Sequence, residues 1–134
     1  MWAAPLRSML PRQEGPPLPV GLGHTPYWTS GDVLLWMKRA FLTNPKTRSA
    51  ADIRPITWPN VYLSVTDPDW AHKRDVILAW ARCRACKESF QEFTRGRGWS
   101  SSATLYRIRD EAAEEIARGI NAAIVRGQSG QNNA

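Results

Sequence analysis

Residues 87–109 read KESFQEFTRGRGWSSSATLYRIR, in which two helical patterns are separated by a turn that contains glycine. The first pattern covers residues 87 to about 97, and Phe90 and Phe93 lie one turn apart on a common face. Gly98 and the residues beside it interrupt this pattern before a second, longer one begins. The segment therefore predicts a short helix followed by a turn and another helix.

The residues of the turn have the chemistry that a junction between two helices requires. Gly98 can take a positive φ at the end of one helix, Trp99 can fill the corner, and Ser100 can cap the next helix. The final helix is predicted from about residue 101 to 125, with apolar residues along one side: Leu105, Ile108, Ala112, Ile116, Ile120 and Ala123. The pattern predicts an all-α domain that ends in a helix-turn-helix.

Two more helices are predicted before residue 87. A Thr-x-x-Asp pattern that begins at Thr29 resembles a capping box and predicts a helix over about residues 30–43. Asp67 supplies a capping side chain and Pro68 suits the first helical position, so a helix is predicted over about residues 68–84.

The stretch between these helices has no clear period. Residues 44–60 hold three prolines, which favours a connecting loop with Trp58 as an anchor in the core. Residues 61–65 alternate between apolar and polar positions, which fits a short strand or a brief extended or helical piece. The sequence leaves these alternatives open.

Both ends of the chain are predicted to lie outside the packed domain. Residues 1–26 contain six of the ten prolines and predict an extended or mobile arm. Residues 127–134 are small and polar and predict a frayed tail. Between them we expect an N-terminal helix and loop over residues 27–66 and the helix-turn-helix unit over residues 67–126.

Composition excludes several classes of protein. A length of 134 residues suits one compact domain and not an enzyme with separate cofactor and substrate domains. A 43% share of hydrophobic residues and seven tryptophans argue against global disorder. No apolar run is long enough for a membrane span, and the first residues do not form a secretory signal. With only Cys83 and Cys86 available, no disulfide scaffold is expected, and a cytoplasmic location follows.

Basic charge is concentrated in one part of the chain. The net charge is +6 overall, and residues 71–109 carry nine basic and three acidic side chains. Residues 110–134 carry two basic and four acidic side chains, so positive charge ends where the final helix continues. This distribution favours an anionic partner at the turn and at the start of the final helix, and double-stranded DNA is the expected one.

Arg107 is the residue best suited to read a base, because a guanidinium can pair bidentately with O6 and N7 of guanine. It is expected on the exposed face of the final helix with Ala103, Asp110 and Glu114. Cationic side chains would hold the phosphates, and small or flanking polar residues would allow close approach. The predicted DNA-binding residues are Lys87, Arg95, Arg97, Ser100, Ser101, Ser102, Thr104, Tyr106 and Arg107. The alternative is that these arginines form an ordinary solvated face.

Residues 74–123 resemble the C-terminal half of small phage and prophage proteins of unknown function, and more distantly region 4 of bacterial sigma factors. The matching elements are residues 78–82 (LAWAR), the helix around Phe90, and residues 97–100, 104–107 and 116–121. Trp28, Thr29, Trp58 and Pro59 match more loosely. The sequence departs from such motifs at Thr94, where alanine is usual, and at Arg97, where an apolar residue often packs. The resemblance implies sequence-specific DNA binding, as in a phage-related transcriptional regulator.

Other functions compete with this prediction. A protein-binding adaptor could dock on RNA polymerase or on a phage packaging complex through the tryptophan-rich N-terminal half.

Cys83 and Cys86 form a CxxC that could bind metal or act as a redox pair. However, a structural zinc site needs four ligands, and the two histidines are His24 and His72. Two partly buried cysteines are therefore expected, with no metal and no cofactor. No catalytic motif is present, and we do not expect an enzyme.

Overall fold

The structure is a computed structural model that describes residues 27–132, with side chains described up to residue 127. This part of the chain contains five α-helices. The helices are α1 (Ser30–Ala40), α2 (Ala50–Tyr62), α3 (Trp70–Cys86), α4 (Phe90–Arg95) and α5 (Ser102–Asn132). Residues 27–132 contain no β-strand. The prediction of an all-α domain is therefore confirmed, whereas the predicted arm over residues 1–26 lies outside the described residues.

α1 begins with the predicted capping box. The Thr29 hydroxyl accepts a hydrogen bond from the Asp32 N–H at 3.2 Å, and the Asp32 carboxylate accepts one from the Thr29 N–H at 2.9 Å. Both partners satisfy backbone donors that would otherwise stay unpaired at a helix start. Val33 and Met37 are buried, and the helix ends three residues before the predicted boundary.

α2 contradicts the predicted loop over residues 44–60. Ser49 and Asp52 form a second capping box, with hydrogen bonds of 2.8 and 3.3 Å. A proline inside a helix costs about 3 kcal/mol, so prolines argued against a helix here. Pro55 and Pro59 are both buried, and their packing against the core offsets this cost. The predicted anchor, Trp58, is 1% exposed and meets Trp28 edge to face at 5.4 Å.

α3 starts two residues later than predicted. Asp67 does not cap the helix but accepts the Asp69 N–H at 2.8 Å in a turn that holds Pro68. Its carboxylate also forms an ion pair with Lys73 at 2.8 Å. The helix ends at Cys86, where Lys87 takes a left-handed conformation with φ 59°.

The short helix α4 is confirmed, with narrower bounds than predicted. The left-handed Lys87 separates it from α3, and the Ser89 hydroxyl caps its first turn through the Glu92 N–H. Phe90 and Thr94 are buried, and the Thr94 hydroxyl donates to the Gln91 carbonyl at 3.1 Å. This hydrogen bond explains how a threonine occupies a buried position where alanine would be ordinary.

α5 is longer than predicted and starts from a different cap. Gly98 has the expected positive φ, 67°. Ser101, and not Ser100, accepts the Thr104 N–H, at 3.4 Å. The helix continues to Asn132, so the predicted tail is helical as far as that residue. A glycine in a helix costs only about 1 kcal/mol, and no proline follows to stop the helix.

One apolar core joins all five helices, with α5 as its centre. Leu105, Ala112, Ile116 and Ile120 are buried along α5, which confirms the predicted apolar seam. Trp28, just before α1, is held to the later half of α5 by two hydrogen bonds with Asn121, and Tyr62 of α2 lies against Gly119 of α5. Among the described helices, none combines the length and the apolarity needed to cross a membrane.

Candidate nucleic-acid interface

Two contacts join α5 to residues at and just after the end of α2, and both lie beyond the first two turns of α5. The Ser64 N–H donates to Glu115 at 2.7 Å, and Gly119 lies directly against the Tyr62 side chain. Both contacts lie more than two turns beyond Arg107. Within the described residues, the first two turns of α5 therefore face α3 and α4 on one side and solvent on the other.

Five exposed cationic side chains follow one another from the end of α3 to the second turn of α5. We call them the basic segment: Arg84, Lys87, Arg95, Arg97 and Arg107. Arg84, Lys87 and Arg95 form no ion pair with any residue between 27 and 127. Their charges are therefore available to an anionic partner. Lys87 and Arg95 were predicted from the sequence.

Arg97 is exposed, but its guanidinium lies over an aromatic ring. It sits 3.7 Å from the centroid of the Phe93 ring, and Nη1 donates to the Phe93 carbonyl at 2.9 Å. Arg82 approaches the same ring at 5.3 Å and pairs with Glu88 at 3.7 Å. A cation over an aromatic face is attracted by the ring quadrupole, which holds the Arg97 side chain against α4.

One of the serines at the start of α5 caps the helix. The Ser101 hydroxyl accepts a hydrogen bond from the Thr104 N–H and donates one to Thr104 Oγ1 at 3.2 Å. These two predicted residues therefore form a local cap. Ser100 is exposed and Ser102 is half-buried, so Ser100 faces solvent at the entrance of the helix.

Arg107 lies on the exposed face that the sequence predicts. Its side chain is 63% exposed, and Ala103, Asp110 and Glu114 are exposed on the same side. Arg107 Nη1 lies 3.0 Å from Glu111 Oε2, one turn further along the helix. An exposed pair of this kind contributes roughly 0.3–0.5 kcal/mol and opens readily.

Tyr106 and Arg109 have structural contacts that limit a direct role in binding. Tyr106 is half-buried and its ring lies 5.7 Å from Phe90. The Arg109 guanidinium lies 4.9 Å from the rings of both Trp80 and Tyr106, and Nη2 pairs with Asp110 at 2.7 Å. Its side chain is only 19% exposed. Arg109 therefore lies against Trp80 of α3 and pairs with Asp110, and we do not include it in the basic segment.

Two details of the site were not predicted from the sequence. Arg84 belongs to the basic segment but was not among the predicted site residues. Arg84 lies three positions before Lys87, and residues three apart on a helix lie on the same side. This spacing could have placed Arg84 beside Lys87 in the predicted site. Glu115 is half-buried. Its carboxylate lies 3.6 Å from Lys73 of α3 and accepts the Ser64 N–H beyond the end of α2.

The two cysteines of the CxxC sequence have different surroundings. Cys83 is buried and Cys86 is exposed, so the expectation of two partly buried cysteines is wrong. Burial raises the pKa of the Cys83 thiol, which keeps it protonated and unreactive. Within the described part of the chain, no three side chains of histidine, cysteine, aspartate or glutamate are grouped to hold a metal ion.

Comparisons of the chain with protein-family models, with curated proteins and with solved structures find no significant match in any of the three.

Proposed function

We propose that the protein binds double-stranded DNA through the basic segment, with the first two turns of α5 in the major groove. The observation that carries this proposal is the exposed position of Ala103 and Arg107 on those turns, together with three exposed cations, from the end of α3 to α4, that form no ion pair among the described residues. In a helix-turn-helix, the second helix presents its N-terminal residues to base edges while the preceding helix and turn lie over phosphates. α4, the turn around Gly98 and α5 follow each other in the order that this mode requires.

The proposed roles divide by position. Arg107 reads a base, and Arg84, Lys87, Arg95 and Arg97 contact phosphates. Glu114 lies further along the exposed face of α5, forms no ion pair with a described residue and is repelled by phosphate. It therefore limits the contact to the start of the helix. The more specific proposal, from the resemblance to phage proteins and to sigma region 4, is a phage-related transcriptional regulator.

A second proposed function is that of an adaptor that docks on RNA polymerase or on a phage packaging complex. Large apolar side chains on the N-terminal half favour it, because Leu42, Val61 and Val65 are each about 60% exposed. Burial of such side chains by a protein partner would remove apolar surface from water, which is favourable. These residues lie outside α4 and α5, so one protein could bind DNA and a protein partner together.

The test is a titration of a labelled random duplex by fluorescence anisotropy at several salt concentrations. Four phosphate contacts predict a slope of about −3.6 in a plot of log affinity against log salt concentration. Affinity should therefore fall about a hundredfold between roughly 50 and 200 mM salt. Arg95→Ala should weaken binding to all sequences. Arg107→Ala should weaken binding most to a duplex that the wild-type protein has selected from a random pool.

Arg118→Ala is the matched control, because Arg118 is exposed on the later half of α5, outside the basic segment. It should change neither affinity nor salt slope. If the wild-type protein binds duplex DNA no better than a protein of the same net charge, the DNA-binding proposal is wrong and the adaptor is favoured. If Arg107→Ala reduces binding to selected and random duplexes equally, Arg107 does not read a base.

A further inference from the structure

We infer that Glu111 is a positioning residue that sets sequence selectivity by keeping Arg107 away from phosphates. This inference rests on the proposed DNA-binding function. Arg107 and Glu111 lie at i and i+4 on the exposed face of α5, and their charged groups are 3.0 Å apart. Glu111 is the one carboxylate, among the described residues, that pairs with this arginine.

The neighbouring acids have different surroundings. Asp110 is held by Arg109, whose Nε and Nη2 both reach its Oδ1 at 2.9 and 2.7 Å. Glu114 is exposed and forms no ion pair with any described residue. Glu111 is thus distinguished from two acids on the same face by its contact with the proposed base-reading side chain.

The carboxylate affects the two possible DNA contacts of Arg107 differently. When Arg107 approaches a phosphate, the Glu111 carboxylate comes close to that phosphate as well, and the like charges repel. When Arg107 meets guanine, its partner is a neutral base edge with two acceptors, O6 and N7. The carboxylate can then remain beside the guanidinium. Glu111 therefore weakens binding to random sequence more than binding to a site with guanine in the right place.

The experiment replaces Glu111 with glutamine, which keeps the size of the side chain and removes its charge. Glu111→Gln should bind random duplex about two- to fivefold more tightly, because the ion pair is lost and the repulsion with it. The salt slope should steepen by about 0.9, which corresponds to one additional phosphate contact. The ratio of affinities for a selected and a random duplex should fall.

Glu114→Gln is the matched control, since it removes the same charge from the same face without breaking an ion pair. It should change the salt slope by much less than Glu111→Gln does. The Arg107→Ala background supplies the second control. If Glu111 acts through Arg107, Glu111→Gln should lose its effect on random-duplex affinity in this background.

Each outcome decides between the alternatives. A Glu111→Gln effect that matches that of Glu114→Gln, or that persists in the Arg107→Ala background, would show a general effect of charge and overturn this inference alone. In that case the wild-type protein would still bind DNA. A wild-type protein that binds no duplex would overturn the proposed function and this inference together. Both glutamates are exposed, so their substitution should leave α5 intact. Circular dichroism of each variant checks that its helix content is unchanged.

Discussion

Asn121 holds the backbone of Trp28 through both ends of its side-chain amide. Its Oδ1 accepts the Trp28 N–H at 2.8 Å, and its Nδ2 donates to the Trp28 carbonyl at 3.0 Å. The two residues are 93 positions apart in the chain. The contact fixes the segment before α1 against the later half of α5, with Trp28 only 3% exposed. It thereby helps to place the N-terminal helices away from the start of α5.

Asn121→Ala should lower the free energy of unfolding by about 1–3 kcal/mol. The substitution leaves the N–H and carbonyl of Trp28 without partners in a partly buried place, and such groups are costly. Urea unfolding followed by tryptophan fluorescence measures the change. Asn60→Ala, at an exposed position of α2, is the control and should stay within about 0.5 kcal/mol of wild type. Equal stability of the two variants would show that the Asn121 amide is dispensable.

Gly119→Ala should destabilise the protein, although alanine is the better helix former. A Cβ at this position would lie 2.8 Å from Tyr62 Cγ, 3.0 Å from Tyr62 Cβ and still nearer to Cδ1. α2 and α5 would have to separate, which costs about 1–3 kcal/mol and exceeds the propensity gain of about 1 kcal/mol.

Gly127→Ala is the matched control for Gly119→Ala. A Cβ at Gly127 would meet nothing within 4 Å, in the same helix. This variant should therefore gain up to about 1 kcal/mol in the free energy of unfolding. The same urea titration measures both, and a Gly119→Ala protein as stable as Gly127→Ala would contradict the close packing of α2 on α5.

The contribution of the Asp67–Lys73 pair to stability should disappear in acid. The hydrogen bond from Lys73 and the Asp69 N–H lower the pKa of Asp67 below its ordinary value of 3.8. A group with a lowered pKa in the folded state stabilises the fold above its unfolded pKa and loses this effect as the pH falls. We therefore expect Asp67→Asn to be less stable than wild type at pH 7 and to approach it as the pH falls below the ordinary pKa of 3.8 and through the lowered pKa of the folded state.

Urea unfolding at a series of pH values tests this prediction. The Asp67→Asn side chain keeps an acceptor for the Asp69 N–H, so the substitution removes mainly the charge. Asp69→Asn is the control, because the Asp69 side chain makes no capping hydrogen bond. It should stay within about 0.5 kcal/mol of wild type at pH 7. A deficit of Asp67→Asn that does not shrink as the pH is lowered would refute the assignment to the ion pair.

Local signals in the sequence predicted much of the fold. The Thr29–Asp32 capping box, the positive φ of Gly98 and the apolar seam of α5 each depend on residues close together in the chain. α2 was missed because the three prolines of residues 44–60 and the lack of a clear period favoured a loop. Burial of two of those prolines against other helices is a tertiary effect that no local pattern contains.

The candidate site was predictable where it depends on residues close together in the chain. The exposure of Arg107 follows from helical periodicity alone. That Arg109 does not belong to the basic segment could not be predicted, because it depends on the approach of Trp80 from α3. The position of Glu115 likewise depends on Ser64 and Lys73, which are distant in the chain.

Only one thiol should react in the folded protein. Cys86 is exposed, whereas Cys83 is buried and its pKa is raised by that burial. A colorimetric disulfide reagent at about pH 8 should label one equivalent rapidly and the second only after unfolding in urea. Cys86→Ser should abolish the rapid phase, and Cys83→Ser should leave it unchanged. Two rapid thiols in the native protein would contradict the buried position of Cys83.

Arg84→Ala should weaken binding to random duplex even though the sequence alone did not place Arg84 in the site. Arg84 is exposed in the last turn of α3 and forms no ion pair with a described residue. Loss of one phosphate contact should reduce the salt slope by about 0.9 and the affinity by about fivefold near 0.15 M salt. The anisotropy titration with Arg118→Ala in parallel measures both quantities. Because a phosphate contact carries no sequence information, Arg84→Ala should weaken selected and random duplexes by the same factor. An unchanged salt slope would remove the end of α3 from the proposed interface.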